Sequence, residues 1–151
     1  MKEEAIHLYT IGFTEKSAEE FFGLLHMSGV SKVIDTRVNN ASQLAGFAKG
    51  RDLAYFCRVL GGLKYEHRLE MAPTRELLSD YRKGGMIWDE YARRYLALLQ
   101  ARNLRANLRR SELDGACLLC SEHLPEHCHR SLLADYIRQS FPETRIEHLV
   151  A

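Results

Sequence analysis

Two short stretches in the last third of the chain hold most of the groups that can do chemistry. Cys120-Ser121-Glu122 closes an apolar run, and Cys128-His129-Arg130-Ser131 opens a helical pattern. A thiol at a helix N-terminus is favoured as thiolate, because the unpaired N–H groups and the partial positive charge there stabilise the anion. Cys128 is therefore a candidate nucleophile, with His129 or His127 as its base. An arginine at the same point makes the helix start a candidate site for phosphate or carboxylate, which Arg130 and Ser131 would bind. The structural alternative is that Cys128 and His129 pack in the core and Arg130 is a surface charge. Upstream, Asp35 and Arg37 stand two apart at the end of a second apolar run, and Thr10 and Gly12 end a third.

These groups matter together only if the elements carrying them are neighbours. Residues 6–11 alternate and are β-prone, and residues 32–36, 116–120 and 144–149 read as further strands, with another at 63–67. Helices are predicted over about 17–28, 52–60, 87–100 and 128–139, with a short helix and turn in 73–86. Ser17 with Glu20 is a capping box, and Gly29 follows as a stop. A break is expected near 101–103, followed by a short separate helix carrying Leu104 and Leu108. Strands alternating with helices predict a single α/β domain. It would be a three-layer, mostly parallel sheet with helices on both faces, Rossmann-like or flavodoxin-like. Such sheets bind ligands beyond the carboxyl ends of their strands. The three polar strand ends then converge, with Cys120, Glu122, Cys128, His129 and Asp35 as candidate catalytic residues. Arg37, Arg130, Ser131, Gly12 and Thr10 are candidate ligand-binding residues.

Metal binding is the competing chemistry. Cys117, Cys120, His123, His127, Cys128 and His129 lie within thirteen residues. A zinc knuckle needs a turn between its cysteines. Cys117 and Cys120 instead sit in a strand, where residues three apart point to opposite faces. No metal is assigned on this reading, although a smaller set of Cys120, Glu122, Cys128 and a histidine stays open. No cofactor is identified. Cys57, between Phe56 and Leu60 in a helix, reads as core.

The connection 37–50 lacks a period and is rich in donors, among them Asn39, Asn40, Ser42 and Gln43. It reads either as a lid over an anionic ligand or as a solvated loop. Residues 91–110 carry six arginines and no acid. On one continuous helix four of them would form a stripe able to track phosphates, but the expected break disperses it. Nucleic acid is possible on this reading and not favoured.

The 151 residues fit one domain, and 46% apolar content excludes a disordered chain. A net charge of +1 gives no bulk reason for a polyanionic partner. No apolar run approaches the roughly 20 residues of a membrane helix, and the charged start Met1-Lys2-Glu3-Glu4 does not read as a signal peptide. The expectation is a cytoplasmic protein with reduced thiols and no membrane partner.

The motifs resemble the bacterial and archaeal domain-of-unknown-function family 488. Tyr9-Thr10-Ile11-Gly12 with Ser17-Ala18-Glu19-Glu20-Phe21 is similar to that family's opening strand and helix, and Ile34-Asp35-Thr36-Arg37 to its Asp-x-Arg motif. Cys120-Ser121-Glu122 with Cys128-His129-Arg130-Ser131-Leu132 resembles its most diagnostic stretch. Ser42-Gln43-Leu44-Ala45-Gly46-Phe47 and Leu53-Ala54-Tyr55-Phe56 look like one branch of it. The resemblance implies an α/β fold and a site at the strand ends, and it supplies no reaction. One position departs: Phe13 stands where the family often has histidine. The resulting expectation is an enzyme on a small anionic ligand, nucleotide- or phosphate-ester-like. The alternative is a non-catalytic module binding nucleotide or nucleic acid.

Overall fold

The strand Ala116-Cys-Leu-Leu-Cys120 is apolar at every position and buried at every position. Its place explains this, because it is the middle strand of five and is covered on both faces. A computed structural model describes residues 4–39, 49–121 and 126–150 of the chain. The strands are β1 (Ile6–Gly12), β2 (Lys32–Asp35), β3 (Lys64–His67), β4 (Ala116–Cys120) and β5 (Thr144–Leu149). They run parallel in the order β3-β2-β4-β1-β5. The helices are α1 (Ala18–Ser28), α2 (Gly50–Gly61), α3 (Arg75–Arg82), α4 (Trp88–Ala101), α5 (Arg110–Leu113) and α6 (His129–Ser140). Among the described residues no helix is long and apolar enough to cross a membrane.

Alternation along the strands divides the core in two. Ile11, Val33, Cys117 and Leu119 face α1 and α2, where Phe21, Leu25, Leu53 and Cys57 cover them. Ile6, Leu8, Ile34 and Leu118 face α4 and α6, where Tyr95, Leu99, Leu133 and Ile137 do the same. Each fully buried side chain of this size contributes about 1.5–3 kcal/mol. The architecture is the predicted three-layer α/β sheet, consistent with a Rossmann-like or flavodoxin-like arrangement.

Local signals set the element ends. Ser17 Oγ accepts from the Glu20 N–H at 3.1 Å, and Glu20 Oε1 accepts from the Ser17 N–H at 3.0 Å, closing the capping box. Gly115 enters β4 at φ 82°, and a Cβ there would stand 2.7 Å from Ser31 Oγ, so only glycine fits. α4 ends at Ala101, and Asn103 at φ 53° turns the chain. The single short helix expected around Leu104 and Leu108 is instead two pieces: a 3-10 turn, Leu104–Asn107, and then α5. Leu108 between them is extended, because both leucines are buried from opposite ends of the turn.

The arginine-rich segment is dispersed accordingly. Arg94 pairs with Glu90, and Arg110 pairs with Glu143. Arg102 Nη1 donates to the carbonyl of Glu70 at 2.9 Å and also bonds that of Ala72.

The connections also place the site. The chain leaves β1 across the α1 face toward β2, and leaves β4 across the α6 face toward β5. β1 and β4 are neighbours, so departures to opposite sides open a crevice at their carboxyl ends. Gly12 lies beside Cys120 there.

Candidate functional site

A cavity of about 390 Å³ opens at these strand ends, on the α3–α4–α6 side. Its size falls in the range of about 300–1,000 Å³ usual for small-molecule sites. Cys120, Ser121, Cys128 and His129 line it, together with Arg37 from beyond β2 and Arg82 from α3.

Cys120 is the last residue of β4 and Cys128 is the N-cap of α6. The register that ends β4 beside the start of α6 brings their sulfurs into contact. Their Cα atoms are 7.6 Å apart. Disulfides usually span roughly 4.4–6.8 Å between Cα atoms, so the pair is read as two sulfurs in contact rather than a relaxed cross-link. Both side chains are buried.

Arg130 lies behind the sulfurs. The helix start was expected to offer it to an anion. α6 instead turns it inward, and among the described residues it is the largest fully buried side chain. Its Nε donates to Thr10 Oγ1 at 3.3 Å and its Nη1 to Cys120 Sγ at 3.3 Å. Thr10 Oγ1 also shares a 2.6 Å hydrogen bond with His148 Nδ1. The Arg130 charge is felt widely. Burial first, and Arg130 among the charges, push Lys16 and His148 below their ordinary values. A guanidinium at hydrogen-bond distance from a thiol favours the thiolate in the same way.

His129 is placed to hold rather than to shuttle. Its Nε2–H donates to the Thr36 carbonyl at 2.9 Å and lies 3.0 Å from Thr36 Oγ1. Burial pushes it down to about 4, the Thr36 carbonyl opposes the shift, and Arg130 adds to it. It is a neutral imidazole that ties α6 to the end of β2. Ser131 Oγ donates to the Cys128 carbonyl at 2.8 Å, within its own helical turn.

Asp35 and Arg37 form a second centre. Arg37 Nε and Nη2 donate to the two Asp35 oxygens, each at 2.8 Å. The Arg37 N–H donates to Oδ1 at 3.1 Å, and Tyr65 Oη donates to Oδ2 at 2.5 Å. Four donors fill the four acceptor positions of a carboxylate. This supports Asp35 as the group that orients Arg37, one of the two roles open to it, over proton transfer. The Arg37 guanidinium also lies 5.1 Å from the centre of the Phe13 ring. Phe13 thus packs beneath Arg37.

The structure brings together Cys120, Cys128, Arg130 and Thr10, with His129 beside them on the cavity and Gly12 at the register point. It holds Asp35 apart, on the α1–α2 face. Glu122 and His123, and Asn40, Ser42 and Gln43 of the long connection, lie outside the described residues. Among the described residues no three metal-ligating side chains cluster. Sequence reasoning missed Tyr65, His148 and Lys16. It also missed Leu78, Tyr81, Arg82 and Tyr91, which α3 and α4 bring to the cavity. Tyr65 alternates in a short strand and Tyr91 shares a helical face with Tyr95, patterns that signal burial and nothing more.

A family model described as domain of unknown function DUF488 matches residues 17–137. The match begins beyond the first strand motif and takes in the Asp35–Arg37 and Cys120–Ser131 stretches. No curated protein and no solved structure matches the chain.

Proposed function

As the chain belongs to the DUF488 family, whose description assigns no reaction, we propose from the site itself that it is an enzyme acting on a small anionic ligand, nucleotide- or phosphate-ester-like. The ligand sits in the strand-end cavity. The observation that carries this reading is the Arg130 guanidinium 3.3 Å from the Cys120 sulfur on the cavity wall, with Cys128 in contact with it.

Cys120 is the nucleophile, held as thiolate by Arg130, and the start of α6 adds its positive end. Arg37 and Arg82 line the cavity and give it its preference for anions. On a phosphate ester, the Cys120 sulfur bonds to phosphorus as the ester P–O bond breaks. The departing oxygen takes its proton from Glu122, two residues beyond Cys120 in the chain. Water then cleaves the S–P bond, giving its proton to the Glu122 carboxylate, so phosphate leaves and the thiolate returns. Arg130 acts through Cys120, and Asp35 acts through Arg37.

The test is phosphate release from nucleoside monophosphates and sugar phosphates under reducing conditions, with alkylation of Cys120 followed in parallel. The expected result is turnover of at least one compound, reduced at least 100-fold in Cys120→Ser, and protection of Cys120 by the same compound. Protection without turnover would favour the non-catalytic binding module. Neither turnover nor protection would reject the site.

A further inference from the structure

The cavity is lined by rings as well as by sulfurs. Tyr81 stacks on Tyr91 at 4.5 Å and 28°, Tyr91 on Trp88 at 5.5 Å and 29°, and Trp88 on His127 at 4.8 Å and 24°. Tyr81, Tyr91 and His127 border the cavity directly. Three separate elements supply them: α3, α4 and the turn before α6. Tyr81 and Trp88 also meet at 5.9 Å and 56°, so the rings form a cluster that runs from the core to the surface. Here Tyr91 is buried, Tyr81 and Trp88 are half-buried, and His127 is exposed. His127 also stands at φ 58°, a left-handed conformation uncommon outside glycine, and from there its ring lies flat on Trp88.

A cluster of rings with exposed members on a cavity wall recognises a flat π-face and discriminates little by hydrogen bonding. The polar lining beside them adds positive charge through Arg82. We infer that the anionic ligand is a nucleotide, its base stacked on the Tyr81–Tyr91–Trp88–His127 rings and its phosphate reaching the Cys120 sulfur. This rests on the reading of the site above and narrows it, because an aliphatic phosphate ester would leave the rings without a partner.

Trp88 is the only tryptophan in the chain and stands one ring from the cavity, so its emission reports the stack. The experiment titrates the full chain with AMP, GMP, CMP and UMP, and separately with ribose 5-phosphate. Trp88 fluorescence and calorimetry are read together. The expected result is that at least one nucleotide binds tenfold or more tightly than ribose 5-phosphate and changes Trp88 emission. Tyr81→Ala should remove that advantage and leave ribose 5-phosphate binding unchanged. His127→Gly takes away the outer ring and relieves its backbone, so it keeps the test in force where Tyr81→Ala fails to fold. Ribose 5-phosphate binding as tightly as every nucleotide would overturn the inference and leave the anion site standing. A nucleotide advantage that both ring variants retain would overturn it as well. Binding of none of the five would overturn the inference and the anion site together.

Discussion

The two faces of the sheet both carry buried polar groups at their carboxyl ends, and they treat them in opposite ways. On the α1–α2 face the Asp35 carboxylate is filled by Arg37 and Tyr65. Cys57 and Cys117 lie in the core of the same face. Burial pushes Cys57 up to about 12 and raises Cys117 as well. On the α6 face Cys120 and Cys128 border a cavity, with a guanidinium at hydrogen-bond distance. A carboxylate with every acceptor position used has nothing to offer a substrate, and a buried neutral thiol is inert. On the proposed reading the Cys57–Cys117 face serves stability and the Cys120–Cys128 face reactivity, and the alternation of β4 separates Cys117 from Cys120 onto the two.

The largest expected effect falls on the closed face. Arg37→Ala strands the Asp35 carboxylate in the core and should cost about 3–5 kcal/mol in urea denaturation. A loss under about 1 kcal/mol would mean that water reaches Asp35 and that the two faces differ less than described.

His129 sets the next effect. Its folded value of about 4 lies below the ordinary 6.5. Above pH 6.5 the imidazole is neutral folded and unfolded, so its contribution is constant. As pH falls from 6.5 toward 4 the unfolded chain gains a proton that the fold refuses, and stability drops by up to about 3 kcal/mol. His129→Gln should flatten this window in denaturation curves taken at successive pH values. An unchanged slope would place the acid sensitivity elsewhere.

Tyr65→Phe removes one donor from Asp35 and should cost about 1.5–3 kcal/mol, without altering the reactivity of Cys120. A change in that reactivity would couple the two faces. The smallest expected stability change is that of Cys120→Ser, within about 1 kcal/mol, because the hydroxyl keeps a hydrogen-bonding atom near Arg130. Its effect should appear in thiol labelling instead.

Much of the frame was legible before the structure. Apolar runs with polar ends marked β1, β2 and β4, the β3 and β5 segments read as strands without such runs, and the separation of Cys117 from Cys120 followed from strand alternation alone. Ser17 with Glu20 marked a helix start that the structure closes at both hydrogen bonds. What stayed hidden depends on contacts distant in the chain. Arg130 sits on a helix turn that can face solvent or sheet, and only the packing of α6 on β1 and β4 turns it toward Thr10 and Cys120. Tyr65 reaches Asp35 because β3 lies beside β2, a neighbour relation that the spacing of residues 35 and 65 does not carry. The rings of α3 and α4 have the period of a core face, and that period is the same whether the last ring meets protein or a cavity.

The most direct test is the pH dependence of Cys120 alkylation by iodoacetamide in a Cys128→Ser chain, read by peptide mapping, with Cys57 and Cys117 as internal references. The account predicts that Cys120 reaches half its maximal rate clearly below the ordinary thiol value of about 8.5, while the two references stay unmodified. Half-maximal reaction at or above that value, or no preference for Cys120 over the references, would contradict the claim that the α6 face holds a thiolate.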